Sequence, residues 1–152
     1  MGTGASAAQY AKIEVNRLVQ MLNNEARARA NQGVNELQTA AYLVLSKDGT
    51  GRTYKRKSIS KRGKPKPIIH TASAPGQPPA PDEGNLRSKW RKLILAEFSG
   101  QGAGIRIKMR IKSDMPYSVY LEKGTRKMAA RPFKKRIRDM AMPAIKAIYA
   151  NW

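Results

Sequence analysis

The chain has 152 residues, 30 lysines and arginines against 10 aspartates and glutamates, and a formal charge of +20. It contains no cysteine, which excludes a disulfide framework, a thiolate metal site and a thiol nucleophile. The length fits one domain, 1–152, and the charge points to an anionic partner, nucleic acid first, with a solvated basic surface as the plainer alternative.

From Ser6 to about Ser46, Ala8, Ala11, Val15, Leu18, Leu22, Ala26, Val34, Leu37, Ala41 and Val44 recur at steps of mostly three and four, the period of an amphipathic helix. Ser6 is placed to cap this helix over 1–46, Asn31-Gln32-Gly33 to bend or divide it, and Lys47-Asp48-Gly49 to stop it. One thin sheet cannot cover so long a stripe, which leaves two readings: part of it meets a neighbouring subunit, or it is a single long core helix. The segment is nearly neutral, with four basic residues against three acidic ones, so nearly all the excess charge lies beyond it.

Residues 50–82 read as an extended basic and proline-rich arm. Between Arg52 and Lys66 stand eight basic residues and no acidic one; Arg52, Lys55, Arg56, Lys57, Lys61 and Arg62 are candidate contacts to DNA or to a neighbouring subunit. Arg52–Ser60 and Pro67–Ala72 suit two ribbon strands joined through Lys61–Lys66, with Pro65 and Pro67 confining them to an edge. Ala74–Pro81 holds four prolines and Gly76, which favours extended backbone, either as a docking segment or as a plain linker.

A sheet is predicted over 86–123. Leu86–Phe98 leads through the turn SGQGAG into a return strand, Ala103–Lys112, whose Ala103, Ile105, Ile107, Met109 and Ile111 point one way while Arg106, Lys108, Arg110 and Lys112 point the other. On the first strand Trp90, Ile94, Ala96 and Phe98 share a face opposite Arg87, Lys89, Arg91, Leu93 and Leu95. Cationic neighbours across such a pair cost a few tenths to about 1 kcal/mol each unless an anion relieves them. Tyr117, Val119 and Leu121 alternate with Ser118, Tyr120 and Glu122 as a third strand, and Gly124-Thr125 ends it at an expected positive φ. Pro132 then reads as the first residue of a helix over 131–150, with Phe133, Ile137, Met140, Ala144 and Ile148 as its buried stripe and a kink near Met142 from Pro143. The fold class is therefore α+β: a long N-terminal helix, a small antiparallel sheet of hairpin plus third strand, a C-terminal helix and the basic arm.

Catalytic chemistry finds no support. His70 is the only histidine, Asp82-Glu83 suits a turn or short helix better than acid–base work, and Gly100–Gly104 lacks the lysine and helix of a phosphate loop. No catalytic, cofactor or metal site is expected. Glu122, beside Lys123, Arg126 and Lys127, reads as a local ion pair pinning the turn, with a contact to an arginine of an adjacent subunit as the alternative; Arg131 reads as a brace through backbone carbonyls. The chain has no apolar run long enough for a membrane, and the start MGTGASAAQY lacks the order of a secretion signal, so a product made in a cytoplasm is expected.

Two separated blocks carry a family likeness: YSVYLEKGTRKMAARPF from Tyr117 to Phe133, and HTASAPGQPPAPDEGNLRSKW from His70 to Trp90. Together they resemble the neck and tail-completion proteins of long-tailed bacteriophages. The matching positions are Pro75, Gly76, Pro78 and Pro79 in one block, and Tyr117, Tyr120, Glu122, Gly124, Thr125, Met128, Arg131, Pro132 and Phe133 in the other. The resemblance spans roughly residues 50 to 145; Lys123, where the family tends to carry an aromatic, and the basic run after Phe133 depart from it. It implies a non-enzymatic virion protein forming a homo-oligomeric ring, a hexamer or a multiple, at the head–tail junction. Its implied partners are connector or stopper, tail-terminator or tail-tube proteins, and non-specific DNA in the channel, with no membrane. Two alternatives stand beside it: a sequence-independent nucleic-acid-binding module with Tyr54 or Trp90 as stacking group, and a tail-terminator subunit.

Overall fold

In the computed structural model, which describes residues 3–59, 65–98 and 105–150, α1 (Thr3–Val44) is one unbroken helix of 42 residues. Ser6 lies inside it rather than capping it, and the helix passes through Asn31-Gln32-Gly33 without dividing. Gly33 is a packing residue: a Cβ there would stand 2.6 Å from the Met109 sulfur and 3.9 Å from Ile145. The helix accepts a residue of poor propensity because neighbouring elements press on its backbone.

The arm is a two-stranded antiparallel ribbon, β1 (Thr53–Ile59) with β2 (Pro65–Thr71), in which Arg56 stands opposite Ile68 and Lys57 opposite Pro67. With two strands, both are edges, so each proline leaves its missing donor at no ladder's expense. Lys61 and Arg62 lie outside the described residues, as does the turn SGQGAG with Ala103. The ribbon's base is closed by Gly51 N–H to Ala72 O, 2.7 Å, and Ala72 N–H to Arg52 O, 3.0 Å.

The strand expected from Leu86 begins later. Asn85–Ser88 forms a single helical turn, α2, after Gly84 at φ 78°, and β3 runs Trp90–Phe98 against β4, Ile105–Ser113. The register corrects the expected crowding of like charges. Arg91 faces Lys112, but Leu93 faces Arg110, Leu95 faces Lys108 and Glu97 faces Arg106. The single like-charged pair is relieved by Asp114, which Arg91 grips through its Nε.

The third strand does not exist. Ser118–Lys123 is a short helix, α3, so the described residues form two separate two-stranded sheets. Pro116 presets the turn, and Leu121 N–H to Tyr117 O and Gly124 N–H to Tyr120 O, 3.1 and 2.8 Å, replace ladder bonds. Ser118 is buried and Leu121 half-buried, a step of three that is helical, while Val119 and Tyr120 face solvent.

The last helix, α4, spans Lys134–Tyr149 and packs on α1, which also carries the hairpin; the Tyr149 hydroxyl donates to the Met109 sulfur of β4 at 3.9 Å. Its buried residues are Phe133, Ile137, Ala141 and Ile145, a row at steps of four; Met140 is 42% exposed, and Ala144 and Ile148 only flank the row. Against them α1 sets Ala40, Ala41 and Val44, with Leu45 just past its end, and Trp90, Met109 and Ile111 close the core from the hairpin. Small residues on α1 let the i±4 ridges of both helices approach closely. Pro143 does not break the helix, which runs through it with the proline exposed, although it offers no N–H to the Asp139 carbonyl one turn back.

Candidate functional site

The two sequence blocks, far apart in the chain, meet in space. In the first, Gln77 N–H bonds Ala74 O at 3.1 Å with Pro75 and Gly76 at the corner and Gly76 at φ 77°, a type II turn. The Gln77 side-chain Oε1 then accepts the Thr50 hydroxyl at 2.8 Å and the Ala74 N–H at 3.2 Å, tying the turn to the root of the ribbon. From the second block, Ala130 O accepts Gly76 N–H at 3.0 Å, and from the helix that follows it Arg136 Nη2 donates to Gly76 O at 3.1 Å. The proline-rich segment is thus docked, with Pro79 buried and Pro78 half-buried, and is no plain linker.

The second block folds back on itself. Gly124 takes φ 77°, as its place in the sequence predicts, with ψ 177°, and Thr125 and Met128 exchange backbone bonds of 2.8 and 3.2 Å across a tight loop. Arg131 N–H returns to Leu121 O at 2.8 Å, so the loop is braced by the backbone of Arg131 and not by its guanidinium; its Nε is buried without a hydrogen-bond partner. Pro132 does not open the helix but precedes its N-cap, Phe133.

Glu122 corrects the expectation most. Its Oε2 accepts the backbone N–H of Phe133 at 3.0 Å and of Lys134 at 3.2 Å, capping α4 from eleven residues away. The first turn of α4 holds no acid and begins Lys134, Lys135, Arg136, so this carboxylate supplies the negative charge that the helix N-terminus lacks locally. Replacing Glu122 with alanine is expected to lower unfolding free energy by about 1–2 kcal/mol in urea titration, whereas Lys123→Ala changes it by less than about 0.5 kcal/mol. Equal losses would restore the local ion pair.

Between the blocks lies a cleft of about 370 Å³, lined by Pro79, Asp82, Glu83, Tyr117, Leu121 and Arg131 among others. Burial, then the charges of Glu83 and Asp82, push the Tyr117 hydroxyl above its ordinary value, so it stays a neutral donor. His70 Nδ1 lies 4.0 Å from Asp82 Oδ1 at the rim. Among the described residues no group of three or more histidine, cysteine, aspartate or glutamate side chains is placed to hold a metal.

The chain matches no protein-family model, no curated protein and no solved structure. The likeness of its two blocks therefore rests on their residues alone.

The charged surface is distinct from the cleft. Arg106, Arg110 and Lys112 are exposed on the outer face of β4 and Lys108 is half-buried, interleaved with Leu93 and Leu95, which are 41% and 46% exposed. On the ribbon Arg52 and Lys55 are exposed, and the Arg52 guanidinium lies 5.5 Å from the centre of the Tyr54 ring. Trp90, the other expected stacking group, is spent in the core: its ring meets Phe133 edge-on at 6.2 Å, and its Nε1 donates to Leu86 O at 2.6 Å. Tyr120 is 61% exposed and Met128 half-buried, each beside the docked loop. Sequence reasoning missed Gln77 and Arg136. The run of cations opening an acid-free helix was the available signal for Glu122; Arg136 gave none, since its acceptor, Gly76 O, is brought close only by folding, and the same holds for the bond from Thr50 to Gln77.

Proposed function

We propose that this chain is a structural subunit of a closed ring at the head–tail joint of a long-tailed phage, assembled in the host cytoplasm and carried in the virion. One observation supports the reading: the two family-like blocks, far apart in the chain, dock on each other through the Gly76 N–H to Ala130 O bond, with Arg136 just beyond the second block holding Gly76 O. Such a ring of six copies or a multiple would stack between a connector and the tail, and needs no reaction. Its cationic strand would meet DNA in passage through phosphates alone, with no base-reading element. No helix among the described residues is long and apolar enough to cross a membrane.

A second reading, a sequence-independent nucleic-acid-binding module, draws support from Tyr54, 48% exposed beneath Arg52. Light scattering together with DNA affinity at several salt concentrations separates the two. A discrete ring whose weak DNA binding vanishes with salt supports the joint protein; a monomer that binds tightly supports the module. In either case Arg110→Gln with Lys112→Gln is expected to weaken binding of all sequences alike and to reduce the log–log salt slope by about 2. An unchanged slope would remove the outer strand from the DNA path.

A further inference from the structure

The first half of α1 stands clear of the rest of the protein. Every residue from Ala7 to Leu22 is exposed, and the first buried residue is Ala26, so about 33 Å of helix projects. Seven large apolar side chains lie on it at 49% to 73% exposure: Tyr10, Ile13, Val15, Leu18, Val19, Met21 and Leu22. Their open surface is on the order of 800 Å² in all, the amount one partner brings to a single standard interface.

We infer that these arms pack side by side between further copies of this chain, each arm held by two neighbours. Three observations select that occupant. First, the arm is neutral, Lys12 and Arg17 against Glu14 and Glu25 within residues 3–25, so the whole +20 lies on the remainder. Copies whose bodies repel one another approach at the least electrostatic cost here. Second, the apolar residues form two stripes, not one. At about 100° per residue, Ala8, Ala11, Val15, Leu18, Val19 and Leu22 fill one arc, and Tyr10, Ile13 and Met21 another, with Arg17 among them turned to Glu14 at 3.9 Å. A two-fold pair would cover one stripe and leave the other wet. Third, the two arcs are centred about 150° apart, less than a straight line, so successive neighbours turn the same way and close, at about twelve copies, a multiple of six. The arm contact rests on the ring reading above and names the residues that close the ring.

Two full-length double variants test it, both altered only at exposed positions: Leu18→Glu with Leu22→Glu in the first stripe, and Ile13→Glu with Met21→Glu in the second. Circular dichroism and thermal unfolding should match the unaltered chain. Native mass spectrometry and light scattering at about 0.3 M salt, chosen to screen the bodies, should show a closed oligomer for the unaltered chain and monomers for each variant alone. Mixed together, the two variants retain one intact stripe-to-stripe contact and should form a one-to-one dimer. If both variants keep the oligomer's mass, the arm contact is wrong and the ring reading stands. If either variant alone forms dimers, like stripes pair and the closure is wrong. An unaltered chain that stays monomeric at hundreds of micromolar ends both.

Discussion

Phe133→Ala is expected to remove about 3–5 kcal/mol of unfolding free energy, out of the roughly 5–15 kcal/mol typical of a domain. Phe133 is fully buried where three parts of the chain converge: α1 through Val44 and the adjoining Leu45, α4 through Ile137, and the hairpin through Trp90, whose ring it meets at 81°. Deleting the ring removes apolar burial and the edge-to-face pair together, and the helices around it cannot collapse while Glu122 holds the same residue's N–H. Urea titration followed by tryptophan fluorescence reads the change. Phe133→Leu should lose less than half as much; a loss below about 1 kcal/mol for the alanine variant would mean the core is not centred here.

Gly124→Ala is expected to cost about 3 kcal/mol or more. Its φ of 77° with ψ of 177° lies in a region occupied almost only by glycine, and a Cβ would fall 2.8 Å from both Ala130 N and Met128 O, backbone atoms that cannot swing aside. Gly76 is the matched control. It shares φ 77° but has nothing within 4 Å of a built Cβ, so Gly76→Ala should cost only about 1–2 kcal/mol. Because Ala130 O is also the acceptor for Gly76 N–H, the Gly124 variant should expose the proline-rich segment to hydrogen exchange, and the Gly76 variant should not. Equal effects from the two would mean that backbone strain, not the close approach, sets the cost.

Residues 117–123 show where local pattern ran out. Seven residues with Tyr117 and Leu121 apolar satisfy both a period of two and a step of four, and only the bond from Leu121 N–H to Tyr117 O decides for helix. The stripe of α4 was displaced for a related reason. Ile137, Met140, Ala141, Ala144, Ile145 and Ile148 offer two adjacent apolar rows, and the helix turns the row toward α1 that fits its alanines.

What the amino-acid order alone determined is what depends on neighbours in the chain: the helical period of 3–44, the alternation of 105–113 with apolar and cationic faces, the ribbon, and the positive φ at Gly124. Tertiary structure decided the rest. Glu122 as the cap of α4, Gly33 as a contact for Met109, the docking of Gly76 on Ala130 and the half of α1 left uncovered all join groups distant in sequence. Periodicity reports which face of an element is apolar; which partner reaches that face, and where it stops, follows from packing in three dimensions.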